Sequence, residues 1–426
     1  MRIWFFNHYA TNQYLNKGGR QFWFAKYLKR GGHTPTVFCA STIHKSDDII
    51  EIDSGRYTEK ITDSIPFVFV KSYKTYGRGV SRLLNMLSFY RNLFSVTEQF
   101  LEKNDKPDII VASSVHPLSM VAGIKIARKL KIPCICEVRD LWPEAIFTTK
   151  GMNPDSLTGK LLLKGEHWIY KNADAMVHTM GGYPDYVRSK GWSLKQGGDV
   201  DLSKAYHINN GVDLEAYKEN EKTYVMKDSD LDDDRFKVVF TGSLIPLTDA
   251  DHILDAVMPV RDKKDMKVLI YGDGEEREKL EHRVSEDEIC NTKIKGYVNK
   301  QYIPYIQSKA SVNLLHQQIG NDVWRWGPSN NKLFEYLAAG KPIISTIDFG
   351  EYSIIAKNNC GVELKSEDAQ ALTDALLKFK NMPEDEYNGY VQNAIETAKE
   401  YDFKVLTQKL LQCITKTLDE YSSGEI

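Results

Sequence analysis

Apolar strand-like runs and helical stretches alternate along this chain from end to end, and that order restricts the fold more than any single motif does. "RIWFF" (2–6) is a continuous apolar run suited to a buried strand, "GGRQFWFAKYLKRGG" (18–32) has helical spacing and stops at glycines, and "TPTVFCA" (34–40) is a second strand. "DIIVASS" followed by "PLSMVAGIKIARKL", then "PCICEV" followed by a helix beginning near Pro143, repeat the pattern. A second series runs through "FKVVFTGS" (236–243), "MKVLIYGDG" (266–274), "TKIKGYV" (292–298), "ASVNLLH" (310–316) and "KPIIST" (341–346). The βαβα order predicts doubly wound parallel sheets, and 426 residues exceed what one core usually holds, so two such domains are expected. The acidic stretch "YKENEKTYVMKDSDLDDDR" (217–235) reads as a linker plus edge segment. Ligands of such sheets bind beyond the carboxyl ends of the strands, which makes a cleft faced by both domains the expected site.

A net charge of −2 gives no reason to expect nucleic acid as a partner. Only Cys134 and Cys136 lie close among six scattered cysteines, and no second pair completes a zinc site, so all six read as reduced thiols of a cytoplasmic protein. No stretch reaches 18 apolar residues, and the run after Met1 meets polar residues by position 7.

In "GPSNNKLFEYLAAGKPIIST" (327–346), Pro328 suits a first helical turn, Ser329 and the asparagines can cap it, and Gly340 with Pro342 ends it. Glu335 then sits a turn and a half from an N-terminus whose free N–H groups suit a diphosphate. A carboxylate accepts two hydrogen bonds at once, matching the paired hydroxyls of a ribose. The alternative is an exposed helix glutamate with no ligand.

The stretch "NNKLFEYLAAGKPII" resembles the signature of family 4 of the retaining glycosyltransferases, the GT-B group that builds bacterial capsules and lipopolysaccharide side chains. "KGGRQFWFAKYLKRGGHTPTV" near the start, "EVRDLWPEAI" (137–146), "HINNGVDLEAY" (207–217), "VLIYGDGEEREKL" (268–280) and "IKGYV" (294–298) agree in order and spacing. The resemblance spans the chain. It implies two Rossmann-like domains facing across a cleft, residues 1–206 on the acceptor side and 207–400 binding the nucleotide-sugar donor, with a helix at about 401–426 returning to the first. It also implies that Glu335 holds the donor ribose, that the backbone around Asn331, Lys332 and Leu333 faces the diphosphate, and that Gly272 lies near the donor sugar.

The other pieces have readings of their own. Gly18 and Gly19, with Arg20 after them, fall between the first strand and first helix, where backbone N–H groups can approach an anion or sugar; a plain turn is the alternative. The glycines of "YGDG" suit a turn, and Tyr297 and Val298 end a strand where backbone can pair with a base or side chains can enter the core. Glu137, Arg139 and Asp140 are three charges at a strand end. Glu137 or Asp140 is an acceptor-orienting group or base, unless Arg139 and Asp140 form an ion pair that clamps the loop. His116 is a candidate for holding the transferring sugar.

This chain departs from the family where an arginine and a lysine usually follow the first strand of the second domain. It reads "GSLIPLTDADH", with Gly242 at the corner and Ser243 and Thr248 at those places, and Gly327 replaces the first of two glutamates spaced eight apart. A leaving diphosphate still needs positive charge or aimed donors, for which Arg325, Lys332, Arg20 and Arg78 are the candidates in that order. Asp199/Asp201 and Asp249/Asp251 lie in polar loops without supporting ligands, so no metal or other cofactor is expected.

Segment 71–91, "KSYKTYGRGVSRLLNMLSFYR", has five basic residues, no acidic one, and Leu83, Leu84, Leu87, Phe89 and Tyr90 interleaved. It reads either as a peripheral attachment to the inner face of the cytoplasmic membrane or as ordinary packing with a basic outer face. The combined expectation is a hexosyl- or N-acetylhexosaminyl-transferase that uses a nucleotide sugar, with UDP as the nucleotide, and a polyprenyl-linked saccharide as acceptor. A nucleotide-sugar 2-epimerase and a non-catalytic nucleotide-sugar-binding protein are the rival readings.

Overall fold

The computed structural model describes the chain apart from residues 45, 47, 74–78, 115, 319–321, 366–367 and 425–426, with 149, 150 and 322 described by backbone alone. The chain divides into two compact units, Met1–Asn209 with Phe403–Ile426, and Asn210–Asp402.

The first unit holds strands β1 (Arg2–Phe6), β2 (Thr34–Ala40), β3 (Tyr57–Thr62), β4 (Ile65–Val70), β5 (Ile109–Ser113), β6 (Cys134–Val138), β7 (Ala175–His178) and β8 (Ala205–His207). They form one sheet in the order β3-β4-β2-β1-β5-β6-β7-β8, in which only β3 is antiparallel to its neighbour. Ile3 to Phe6 are all buried, as a strand covered by helices on both faces requires. β3 carries exposed Glu59, Lys60 and Ile61, charges that protect an open sheet edge. Its turn into β4 is Asp63-Ser64, with φ of 47° and 63°, the mirror-type turn that matches hairpin twist.

Seven helices connect these strands: α1 (Thr11–Leu15), α2 (Arg20–Arg30), α3 (Val80–Leu101), α4 (Pro117–Leu130), α5 (Glu144–Lys150), α6 (Leu157–Asn172) and α7 (Tyr183–Ser189). Because α1 precedes them, Gly18 and Gly19 join two helices, contrary to the sequence expectation that they lie between the first strand and the first helix. The C-terminal helix, Phe403–Ser423, returns to this unit and buries Phe403, Leu406, Leu410 and Ile414, spaced at three and four residues, against Phe22, Phe24 and Leu28 of α2.

The second unit has six parallel strands, β9 (Phe236–Thr241), β10 (Met266–Tyr271), β11 (Thr292–Gly296), β12 (Val312–Leu315), β13 (Ile343–Ser345) and β14 (Gly361–Glu363), in the order β11-β10-β9-β12-β13-β14. Around them lie α8 (Leu214–Thr223), α9 (Ala250–Val257), α10 (Arg277–Glu286), α11 (Ile303–Ser308), α12 (Asn331–Ala338), α13 (Ile354–Lys357), α14 (Ala369–Lys380) and α15 (Glu384–Glu400). Strand order reverses at β9, so the ends of β9 and β12 flank the switch point where ligands of such sheets sit.

The acidic stretch 217–235 is not a linker. Its first third belongs to α8, which Asp213 caps by accepting the Ala216 N–H at 2.8 Å and which buries Tyr217. The rest is fastened to the sheet: Asp230 meets the ammonium groups of Lys267 at 2.7 Å, Lys293 at 2.9 Å and Lys295 at 2.7 Å. Burial opposes charge on Asp230, but those hydrogen bonds outweigh it and hold its pKa below the usual aspartate range. Three lysines on two adjacent strands, β10 and β11, thus require the acidic run as their partner.

All six cysteines are free thiols, and among the described residues no helix is long and apolar enough to cross a membrane.

Candidate functional site

At the carboxyl end of the first sheet, the charged residues singled out from sequence largely satisfy one another. Arg20, in the first turn of α2, donates from Nε to Glu137 Oε1 at 2.7 Å and from its terminal nitrogens to the carbonyls of Asn209 at 2.5 Å and Ile208 at 2.7 Å. Glu137 Oε2 accepts from Gln21 Nε2 at 2.8 Å and Ser113 Oγ at 2.6 Å. Both charged side chains are almost wholly buried. Burial opposes charge on Glu137, yet Arg20 and Ser113 hold its pKa below the usual range. Glu137, expected as a base or acceptor-orienting group, and Arg20, expected to meet an acceptor or diphosphate, are thus engaged with each other in a clamp joining α2, β5, β6 and the segment after β8. Asn7 and Gln13 extend it through Gln21, at 2.8 Å each. Gly19 has φ of 107°, and a Cβ there would lie 2.8 Å from Gln13 Cγ, so both its backbone and this network call for glycine.

Asp140 is exposed just beyond β6. The Arg139 N–H donates to Ser114 Oγ at 2.9 Å and its carbonyl accepts from Thr179 Oγ1 at 2.8 Å. His116 is the residue before α4, 2% exposed, and neither ring nitrogen has a hydrogen-bond partner among the described residues. Burial, then the Arg82 charge, lowers its pKa to about 3, so it is a neutral imidazole. Its ring lies 4.8 Å from that of His8, a buried residue just after β1 that sequence reading missed; its only signal was a polar pair, Asn7-His8, directly after an apolar strand.

In segment 71–91, Lys74 and Arg78 lie outside the described residues. α3 buries Asn85 and Phe89 and leaves Val80, Leu83, Leu84 and Leu87 exposed, a row at spacings of three and four on one face.

In the second unit α12 starts three residues later than expected. Pro328 and Ser329 lie in the preceding loop, Asn330 occupies the capping position without making a side-chain cap, and both polar ends of its buried amide lack a partner among the described residues. The first N–H groups of α12 therefore have no acceptor from helix or cap. Glu335 lies one turn further, half-buried, with the exposed Lys300 ammonium 3.4 Å away. Asn331 is exposed, and Leu333 is wholly buried in the core. Tyr336 fixes the helix to the end of β9, its hydroxyl accepting the Thr241 N–H at 3.2 Å.

Around that helix, Gly242 and Gly272 form a close backbone crossing: a Cβ on Gly272 would lie 1.8 Å from the Gly242 carbonyl oxygen. This supports the turn reading of "YGDG". Ser243 is exposed, while Thr248 is buried and donates its hydroxyl to the Ser243 carbonyl at 2.7 Å. Tyr297 is exposed with its hydroxyl 3.2 Å from Asn299 Oδ1, and Val298 packs beside Tyr271 and Ile306. Arg325 sits exposed on a 3₁₀ turn with its guanidinium 4.7 Å from the centre of the Trp326 ring. Asp251 is taken up by Lys279 and Arg283, and Asp199 by His167 and Lys171. Among the described residues no group of three or more His, Cys, Asp or Glu side chains gathers as metal ligands would.

Residues 221–397 match the family of glycosyl transferases group 1, and residues 21–195 match the glycosyl transferase 4-like domain. Sucrose-phosphate synthase from Thermosynechococcus elongatus superposes with a TM-score of 0.69 at 15% identity, covering 98% of both chains. The α,α-trehalose 6-phosphate synthase from Burkholderia multivorans gives 0.70 at 13% identity, covering 100% of this chain and 98% of that one. HepE of Anabaena, in complex with UDP-glucose, gives 0.63 at 13% identity, covering 98% of this chain and 100% of that one. No curated protein matches the sequence.

Proposed function

We propose that this chain, a glycosyltransferase of the two-domain GT-B plan that uses a nucleotide sugar, moves a sugar from a UDP-sugar to a polyprenyl-diphosphate-linked saccharide in surface polysaccharide assembly, with retention at the anomeric carbon. The observation that carries the donor half is Glu335 one turn inside an uncapped helix N-terminus at the sheet's switch point. Its carboxylate accepts both ribose hydroxyls while the N–H groups of Asn331, Lys332 and Leu333 take the diphosphate. UDP as the nucleotide is supported by HepE, whose solved complexes hold UDP and UDP-glucose.

In the proposed reaction the bond from the anomeric carbon to the diphosphate breaks, and the acceptor oxygen bonds on the same face. The acceptor proton passes to the departing diphosphate oxygen, so no metal and no protein base is needed. Positioning and charge stabilisation supply the acceleration. His116, neutral and with ring nitrogens unengaged by the described residues, offers one donor and one acceptor to hydroxyls of the transferring sugar. Asp140, exposed beyond β6, orients the acceptor. A lipid-linked acceptor accords with the exposed Val80, Leu83, Leu84 and Leu87 of α3, flanked by Lys71, Arg82 and Arg91.

The test is mass analysis after incubating the purified protein with UDP-hexoses and UDP-N-acetylhexosamines, with and without a polyprenyl-diphosphate disaccharide. Transfer predicts a heavier lipid only when the acceptor is present. Conversion of donor without acceptor is the outcome for an epimerase, and binding without conversion is the outcome for a binding protein.

A further inference from the structure

The side chain of Lys332 makes no hydrogen bond or ion pair with any described residue, although it is largely withdrawn from solvent and comes from the first turn of α12. Its ammonium instead lies over the Phe240 ring, 4.7 Å from the centroid. It also fills the space where a side chain at residue 242 would be, since a Cβ on Gly242 would lie 2.0 Å from Nζ and 2.9 Å from Cε. Gly242 is the corner that follows β9. The usual cations of this plan emerge from the loop just beyond, where this chain has exposed Ser243 and the buried, internally bonded Thr248. A lysine held against a ring face, without a carboxylate in contact, retains its full capacity to meet an anion.

We propose that Lys332 supplies, from the helix side, the positive charge that meets the donor diphosphate, and that Gly242 is glycine because its missing side chain is the channel through which that ammonium reaches the site. This rests on the donor reading above and deepens it by assigning the charge. Arg325, first choice on sequence, is exposed and stacked on its neighbour, whereas Lys332 shares its helix turn with the free N–H groups and the unpartnered Asn330 amide. Glu335 on the same helix and His316 at the end of β12 are the charged and titratable groups acting around it. Burial lowers the Lys332 pKa to about 8, against the pull of Glu335, while burial lowers that of His316 to about 4 and leaves it neutral.

Calorimetry with UDP and with uridine separates the assignment from the reading beneath it. Lys332→Met should weaken UDP by about 10- to 100-fold, the range for a lost charge-assisted hydrogen bond, and leave uridine within about twofold. Gly242→Ala keeps the charge but displaces the flexible end of Lys332, and should weaken UDP in the same direction. Adding Ser243→Arg to Lys332→Met should recover affinity by returning a cation to the loop. The wild-type protein provides a measurement independent of any variant: UDP binding at pH 8, in buffers of differing ionisation enthalpy, should take up about half a proton as the ammonium is reprotonated. Unchanged UDP affinity in Lys332→Met, or no proton uptake by wild type, overturns the assignment while leaving Glu335 and the donor reading standing. Failure of wild type to bind UDP at all overturns both.

Discussion

Replacing Glu137 by glutamine tests whether the carboxylate at the end of β6 belongs to the fold or to the reaction. The substitution keeps the shape and one acceptor, but leaves the Arg20 guanidinium, 3% exposed, without its counter-charge. Breaking one partner of a buried pair costs about 3–5 kcal/mol, because the remaining charge stays desolvated. Domain stability is only about 5–15 kcal/mol, so that loss is a large share of it. A domain of roughly 150–250 residues loses about 2–4 °C in Tm per kcal/mol, so Glu137→Gln should melt some 6–20 °C below wild type by scanning calorimetry. The pH dependence has a definite sign. The folded-state pKa of Glu137 is depressed, so its contribution is fully present above the unfolded value of about 4.3 and fades as pH falls through the lower folded value. The gap between variant and wild type should therefore hold from pH 7 down to about 5 and close in more acid solution. If Glu137→Gln melts with wild type while transfer to an acceptor collapses, the carboxylate meets substrate and the clamp assignment is refuted.

Glu335→Ala should weaken UDP binding by roughly 1.5–3 kcal/mol if the carboxylate holds the ribose, and equal calorimetric affinity for variant and wild type rejects that contact. Exchange of Leu83, Leu84 and Leu87 for glutamine removes three apolar groups, each worth up to about 1.5–3 kcal/mol when fully inserted, and should release the protein from anionic liposomes in sedimentation. Activity on a short water-soluble acceptor should survive that exchange, and sedimentation unchanged from wild type places α3 among ordinary surfaces.

Strands β1, β2, β5, β6 and β9 to β13 were readable because covered parallel strands are continuous apolar runs, a signal that each segment carries within itself, whereas β7, β8 and β14, of three or four residues, were too short to carry it. "IIVAS" and "KVVFT" state their burial without reference to the rest of the chain. The β3–β4 hairpin was not readable in the same way, since "YTEKIT" is an edge strand with charges outward and its Asp-Ser turn lacks the usual Asn-Gly signal. The acidic run after Tyr217 looked like a linker because its partners, Lys267, Lys293 and Lys295, come from two later strands. Long-range pairing also hid the fate of Glu137, whose partner Arg20 is 117 residues away. For Glu335 the helix and its position on it were local facts and legible. That Lys332 lies against Gly242 was not, because it depends on how α12 packs beside β9.

The two sheets treat charge at their carboxyl ends in opposite ways, and the difference accords with the proposed division between acceptor and donor. In the first unit Arg20 and Glu137 neutralise one another in the interior, leaving a neutral imidazole at His116 and an exposed carboxylate at Asp140. Such groups orient hydroxyls without attracting an anion. In the second unit Lys332 has no ion-pair partner among the described residues and lies next to N–H groups without an acceptor from helix or cap, and unpaired donors in a partly desolvated place are unfavourable until an anion arrives. The source of the positive charge can then move from the loop after β9 to the helix facing it, provided that residue 242 has no side chain. Loss of arginine and lysine at positions 243 and 248 is thereby compatible with diphosphate chemistry, and Gly242 becomes a functional position through the volume it leaves empty.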